Sequence, residues 1–519
     1  MSNFRQLDIV RGSKNELGWR SLIHRPRQNH QGPILHGRPL LNLIHLSDLH
    51  ICDVESPSRL EYLDRYADPD SAYQKVLGHI GTYRPNEILT TQVLARTVSS
   101  INEIEKAPLT GYRIDAVVIT GDMTDNAQLN ETNWYLTTLN GGIVSPNSSK
   151  SKVSYWVGSP DVPFDINYWH PEPQTRDQDD KAIERYGFPK IPGLIAAAKE
   201  KFWSPGLDYP WFATYGNHDG LLQGTVAPNV ELEKLSLGNK RISTLPEGFD
   251  VLSTKPAFVD IGPAFYIHNE LFTSYEIPSD TERSFLTPGG FANLHLPSGG
   301  HGFTQNNVEQ NNAYWWKNLN DIILVSLDTV NPHGGWQGSI DIEQLNWLED
   351  ILLKHQNNYV ILLSHHPIQS LTNDYAPPDE PMRVLAAPIL GLLEHHKNVI
   401  MWIAGHVHRH GVNFIRRRDG SKFVQVTTAS QIDWPQQGRF IEITKESGGQ
   451  IGIGLTVFDH DGPLTWNDNE LTTTTLAGIS RALAANNWQF REGLFVEEDE
   501  PEGDRVKNLI IRVQDPFNK

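Results

Sequence analysis

Val399-Ile400-Met401-Trp402-Ile403-Ala404-Gly405-His406-Val407-His408 runs from an apolar stretch straight into two histidines one residue apart. A short apolar run closed by a glycine reads as a buried strand, so the histidines stand just past its C-terminal end. The same pattern recurs four times upstream. Residues 41–46 lead into Asp48-Leu49-His50, 114–120 into Gly121-Asp122, 210–215 into Gly216-Asn217-His218-Asp219, and 359–363 into Ser364-His365-His366-Pro367. The strands' C-terminal ends would bring together segments that lie more than 350 residues apart in the chain.

Between these runs, and a further one at 322–327, lie helical patterns at 89–106, 126–139, 340–355 and 383–396. Strand alternating with helix implies a largely parallel sheet covered on both faces. After His408 only strand patterns follow, at 412–416, 422–427, 439–444 and 451–458. These are expected to form a second sheet packed on the first. The fold class is then α/β, a four-layer α/β/β/α sandwich with long inserted cap loops.

The expected layout is an N-terminal extended arm (1–40), a catalytic domain (41–466) and a C-terminal helix with an acidic tail (467–519). Insertions fall at about 51–88, 141–208 and 221–320. Residues 145–187 are rich in Pro, Asp, Trp and Tyr, and 281–312 in Gly and Asn. Long stretches without periodicity are uncommon unless functional, so these are expected to cap the site and select what enters.

An apolar content of 38% and a mean hydropathy of −0.42 over 519 residues describe an ordinary globular chain. No stretch reaches the ~20 apolar residues of a membrane span, so no membrane partner is expected. The net charge of −18 disfavours a nucleic-acid polymer, whose binding needs Lys and Arg to neutralise phosphates. Part of the acidity is local, six carboxylates in the eight residues 497–504. Arg416-Arg417-Arg418 is the only concentrated basic run, and a hairpin turn before Asp419-Gly420 accounts for it. Cys52 is the single cysteine; that fits a reducing compartment, and with no apolar signal core in the first eight residues a cytoplasmic location is expected. Oligomeric state is not legible.

Carboxylate, imidazole and amide donors at converging strand ends suit a pair of divalent ions. Phosphate esters resist hydrolysis because their anionic oxygens repel a nucleophile and the leaving alkoxide is poor. Two ions about 3.5–4 Å apart acidify a bridging water and neutralise charge on the phosphoryl oxygens. The i, i+2 spacing of Asp48 and His50 is expected to aim both side chains to one side of a strand end.

The order and content of the five segments resemble the calcineurin-like metallophosphoesterases, the superfamily of purple acid phosphatases, Ser/Thr protein phosphatases and cyclic-nucleotide or glycerophosphodiester phosphodiesterases. The resemblance covers roughly 41–125, 209–219 and 322–458 and implies the four-layer fold. It implies that Asp48, His50 and His408 bind one metal, that Asp122 bridges, and that Asn217, His365 and His406 bind the other. Spacing alone leaves His365 and His366 interchangeable; the family pattern His-x-Pro selects His365 and turns His366 away, toward an outer carbonyl. His218 and Asp219 are the implied catalytic pair, His218 beside the bound phosphate and Asp219 holding its other ring nitrogen.

Departures narrow the choice. Asp125 stands where purple acid phosphatases carry the tyrosine that binds ferric iron. Asp219 stands where protein phosphatases carry glutamate. The set looks closer to bacterial phosphodiesterases. Mixed O/N donors accept two divalent ions, Mn²⁺, Fe²⁺ (with Fe³⁺) or Zn²⁺.

The expected function is hydrolysis of a small phosphate diester or monoester by a metal-bridging hydroxide. A nuclease or protein phosphatase shares the site but needs an open polymer groove. A non-catalytic binding module predicts missing ligands, and all seven positions are filled.

Other features have plainer readings. Asp328, near Asn331 and His333, reads as a strand cap or outer partner, Trp336 and Gln337 as packing, and 431–435 as hydrophobic burial with an alternative at the pocket rim. His45, His79, His170, His301 and His410 are expected to be ordinary loop or surface residues.

Overall fold

Along Ile322–Leu327 every residue is buried, and alternate side chains serve different cores. Ile322 and Leu324 join a cluster with Leu43, Val117 and Ile441 from the facing sheet, whereas Ile323, Val325 and Leu327 pack with Leu348, Leu352, Ile389 and Leu393 of helices Ile342–Lys354 and Ala386–Leu393. A strand buried on both faces reads as a continuous apolar run, the pattern by which the sequence marks it. The computed structural model describes residues 7–27, 29–77, 83–173, 178–254, 272–489 and 507–518.

Two six-stranded sheets form the middle layers. The first runs Leu509–Gln514, Gln450–Asp459, Gln437–Glu446, Arg38–Leu46, Ala116–Thr120, Trp211–Thr214, the last three parallel. The second runs Trp315–Leu319, Ile322–Leu327, Tyr359–Ser364, Val399–Ala404, Lys422–Thr427, Gly411–Arg416, its four central strands parallel. Helices Thr90–Asn102 and Leu129–Asn140 give Leu94, Val98, Ile101, Tyr135 and Leu139 to the core shared with the first sheet. The result is the four-layer α/β/β/α sandwich.

The distribution of strands differs from the expectation of one parallel sheet followed by a separate sheet after His408. The six parallel strands that precede His408 divide three and three between the sheets. Gly411–Arg416 and Lys422–Thr427 extend the second sheet, while Gln437–Glu446 returns to pair antiparallel with Arg38–Leu46. Periodicity reports whether a strand is buried, not which neighbour supplies its hydrogen bonds.

The N-terminal arm contains an antiparallel hairpin, Leu7–Lys14 with Arg20–Pro26. The C-terminal region contributes helix Thr473–Ala485 and the edge strand Leu509–Gln514; the acidic run 497–504 lies outside the described residues. Trp156, Trp169 and Phe188 form a separate aromatic core with Leu476, Ile479, Leu483 and Trp488. Among the described residues no helix is long and apolar enough to cross a membrane.

Candidate metal centre

Asp48, His50, Asp122, His406 and His408 all adopt left-handed backbone conformations, with φ between 46° and 68°. Such residues are uncommon and each costs on the order of 1–3 kcal/mol unless its surroundings fix it. Here the surroundings do: Asp48 N donates to the Gly121 carbonyl (3.1 Å), His50 N to that of Asp122 (2.9 Å), and His406 N to Asp48 Oδ1 (3.1 Å). Asp48 and His50 therefore do not aim together by strand alternation, as their spacing suggested; strand Arg38–Leu46 has already ended, and each residue is turned individually. Gly216 permits a close approach, because a Cβ there would run into the Asp122 carboxylate.

The donor atoms converge from both sheets. His50 Nε2 and His408 Nε2 lie 3.3 Å apart, and His408 Nε2 lies 3.3 Å from Asp48 Oδ1. On the other side, His365 Nε2 and His406 Nδ1 are 3.3 Å apart. Asp122 Oδ2 stands between the two groups, 3.2 Å from His365 Nε2 and 3.7 Å from His50 Nε2. Its second oxygen, Oδ1, accepts from His218 N at 2.8 Å. The Asn217 amide donates Nδ2 to the Gly224 carbonyl (2.9 Å), and its buried Oδ1 has no hydrogen-bond partner. A buried amide oxygen left without a donor fits a cation. Together these atoms form a mixed O/N set suited to divalent metals.

The other ring nitrogens of His50, His408 and His365 are held. His50 Nδ1 meets Asp125 Oδ1 at 3.0 Å, His408 Nδ1 meets Asp433 Oδ2 at 2.6 Å, and His365 Nδ1 meets the Thr120 carbonyl at 2.8 Å. Each contact leaves the opposite nitrogen's lone pair for a metal. His366 is turned away, with Nδ1 on Thr329 Oγ1 (2.8 Å) and Nε2 on the Trp336 carbonyl (3.0 Å). Although it sits beside His365 and His406, both its nitrogens are engaged.

The contact expected between Asp219 and the His218 ring does not form. His218 Nδ1 binds the Asp125 carbonyl (2.7 Å), while the Asp219 carboxylate accepts from Thr124 N (2.9 Å) and Gly216 N (2.8 Å). Asp219 sits in the short helix Asn217–Gly220, whose first turn directs its carboxylate back to the backbone that presents Asn217.

Electrostatics follow this crowding. Burial would raise the carboxyls of Asp48 and Asp122, yet neighbouring histidines, His408 for Asp48 and His365 for Asp122, hold both below their usual range. Against burial, Asp122 lifts His365 to about 9 and Asp48 with Asp433 lifts His408 to about 10. Burial lowers His218 to about 4 and, helped by the Asp122 charge, raises Asp219 to about 7. Histidines so placed among carboxylates take up protons where divalent cations would otherwise supply the positive charge.

Sequence reasoning missed Asp433 as a partner of His408, although it had marked 431–435 as a possible rim. It noticed Asp125 only as the absent tyrosine. Trp336 is not packed away: 48% exposed, it lies on His406. Asp328 caps its strand end as expected, accepting from Val330 N. His45, His170 and His301 are buried rather than superficial and His410 is partly buried; His79 lies outside the described residues.

Residues 192–410 match the calcineurin-like phosphoesterase family model. The matched span takes in Asn217, His218, Asp219, His365, His406 and His408, while Asp48, His50 and Asp122 precede it. No curated protein matches the chain by sequence. Among solved structures, a dimetal phosphatase from Danio rerio is similar at 12% identity over 81% of this chain and 99% of its own, with a TM-score of 0.33. The anchor in the inner membrane complex of Plasmodium is similar at 11% identity over 85% and 95%, with a TM-score of 0.30. A Staphylococcus aureus protein described as a 5′-nucleotidase is similar at 11% identity over 84% of this chain and 58% of its own, with a TM-score of 0.29. Over residues 192–410 the chain is thus similar to the calcineurin-like phosphoesterases, a likeness that supports a hydrolytic phosphoesterase.

Proposed function

We propose that the chain hydrolyses a small phosphate diester or monoester at a dinuclear centre. Asp48, His50 and His408 would hold one ion and Asn217, His365 and His406 the other, with the Asp122 carboxylate placed between the two sets. The observation that carries this reading is the position of Asp122 Oδ2, one carboxylate oxygen within 3.7 Å of a ligand nitrogen from each group. Bound there, two ions of Mn²⁺, Fe²⁺/Fe³⁺ or Zn²⁺ would supply Lewis acidity and an acidified water.

The chain's own residues do the rest. Asp125 and Asp433 fix the rings of His50 and His408 so that Nε2 of each faces the site. His218 N pins Asp122 Oδ1 and leaves Oδ2 facing both sets of donors. The His218 ring is tied through Nδ1 to the Asp125 carbonyl, and its Nε2 would hold or pass a proton at the leaving oxygen. Asp219 keeps the backbone of 216–218 in place. A small substrate is favoured because Asp48, His50, Asp122 and His365 are almost wholly buried, a recess that a polymer backbone would enter poorly.

The test is Asp122→Ala, expected to abolish hydrolysis of bis-p-nitrophenyl phosphate with an unchanged circular dichroism spectrum. Undiminished turnover would reject the bridge. A parallel screen of mono- and diesters separates phosphatase from phosphodiesterase preference.

A further inference from the structure

We propose that Arg59 and Arg84, both from the stretch between the first two ligand segments, are positioning residues for one of the two metal sites. They fix the carboxylates of Asp125 and Asp433, which in turn hold His50 and His408. The inference rests on the metal-centre reading above and extends it from the ligands to the insertion behind them.

Arg84 forms a fork on Asp433, Nε to Oδ1 at 2.7 Å and Nη2 to Oδ2 at 3.1 Å. The same Oδ2 lies 2.6 Å from His408 Nδ1. Arg59 Nη1 donates to Asp125 Oδ2 at 2.5 Å, and Asp125 Oδ1 lies 3.0 Å from His50 Nδ1. Arg59 is itself clamped, with Nε on Glu61 (2.6 Å) and Nη2 on Glu87 (2.7 Å). Both arginines and the four carboxylates they meet are buried. Two Arg–Asp–His chains therefore reach the same half of the centre; among the described residues no such chain reaches the other half, where His365 rests on a neutral backbone carbonyl.

The physical consequence is specific. A carboxylate behind a histidine sets the ring's tautomer and orientation and strengthens its donor nitrogen. A buried carboxylate is costly unless its charge is answered, and a two-point guanidinium contact answers the charge while stopping the carboxylate from rotating. Losing the guanidinium should thus loosen one metal position and spare the other. Arg84 is the residue to change, because Arg59 serves three carboxylates and its loss would threaten the surrounding fold.

The experiment uses the full chain loaded with Mn²⁺, dialysed against graded chelator, with retained manganese measured by elemental analysis and the coupled Mn pair followed by electron paramagnetic resonance. In Arg84→Met, one of two equivalents should leave at chelator concentrations about 10–100-fold lower than in wild type, the pair signal giving way to that of single ions. Arg84→Lys, which keeps the charge without the fork, should recover part of the loss. If Arg84→Met yields no folded protein, Arg84→Lys decides alone: it should release one equivalent earlier than wild type. Two equivalents held at wild-type strength, or both weakened equally, would overturn this inference alone. A wild-type chain that retains no pair of ions would overturn the metal-centre reading and this inference with it.

Discussion

The imidazole of His406 lies against the indole of Trp336, ring centroids 5.9 Å apart and planes 19° from parallel. The backbone beneath is braced, with Gly335 N on the Thr225 carbonyl (2.7 Å), the Trp336 carbonyl on His366 Nε2 (3.0 Å) and the Gly334 carbonyl on Asn373 Nδ2 (2.9 Å). An exposed aromatic on a rigid loop offers a planar substituent a stacking face worth about 1 kcal/mol. Trp336→Ala should raise KM for an aryl phosphate ester roughly five-fold with little change in kcat, and leave an alkyl ester unaffected. Steady-state kinetics on the two substrates checks it.

Asn217 keeps a buried Oδ1 without a partner. If that oxygen is a metal donor, Asn217→Ala should leave the chain with one metal ion where wild type has two. Elemental analysis of the purified variant reads this directly, and an undiminished content would remove Asn217 from the ligand set.

Two glycines separate space from conformational freedom. A Cβ on Gly216 would collide with the Asp122 carboxylate, whereas one on Gly391, inside helix Ala386–Leu393, would meet nothing within 4 Å. Gly216→Ala should abolish activity and cost about 1–3 kcal/mol from overpacking. Gly391→Ala should stabilise by about 0.5–1 kcal/mol through helix propensity. Urea unfolding of both variants is the measurement.

Burial raises the Asp328 carboxyl from 3.8 to about 7. In the unfolded chain the group ionises near its usual value, so the folded state loses stability as pH rises between these two values and loses no more above. Asp328→Asn keeps an acceptor for Val330 N but cannot ionise. Its stability relative to wild type should therefore increase from pH 4 to 7 and then level off. Equal differences at pH 5 and pH 8 in urea unfolding would contradict this.

Much of the centre was legible because strand and ligand are adjacent in the chain. Val399–Ala404 and His406 are separated by one glycine, so an apolar run marks the strand and its end marks the donors. The same adjacency exposes Asp48, Asp122, Asn217 and His365. Arg59, Arg84 and Asp433 carried no such mark. They act across 66 residues from Arg59 to Asp125 and 349 from Arg84 to Asp433, and no local period encodes a contact at that range. Asp219 misled for a related reason: its neighbour His218 suggested a bond that the turn of the short helix directs elsewhere.

By itself the sequence determined which segments end in donors, and hence that a mixed oxygen and nitrogen set would meet at strand ends, because burial writes an apolar run before each of them. Only the tertiary structure decided how the strands divide between two sheets, that five donors are reached through left-handed backbone rather than strand alternation, and which buried charges stand behind each histidine. Hydrogen-bond partners and buried ion pairs are properties of three-dimensional neighbours, and neighbours are fixed only when the layers close.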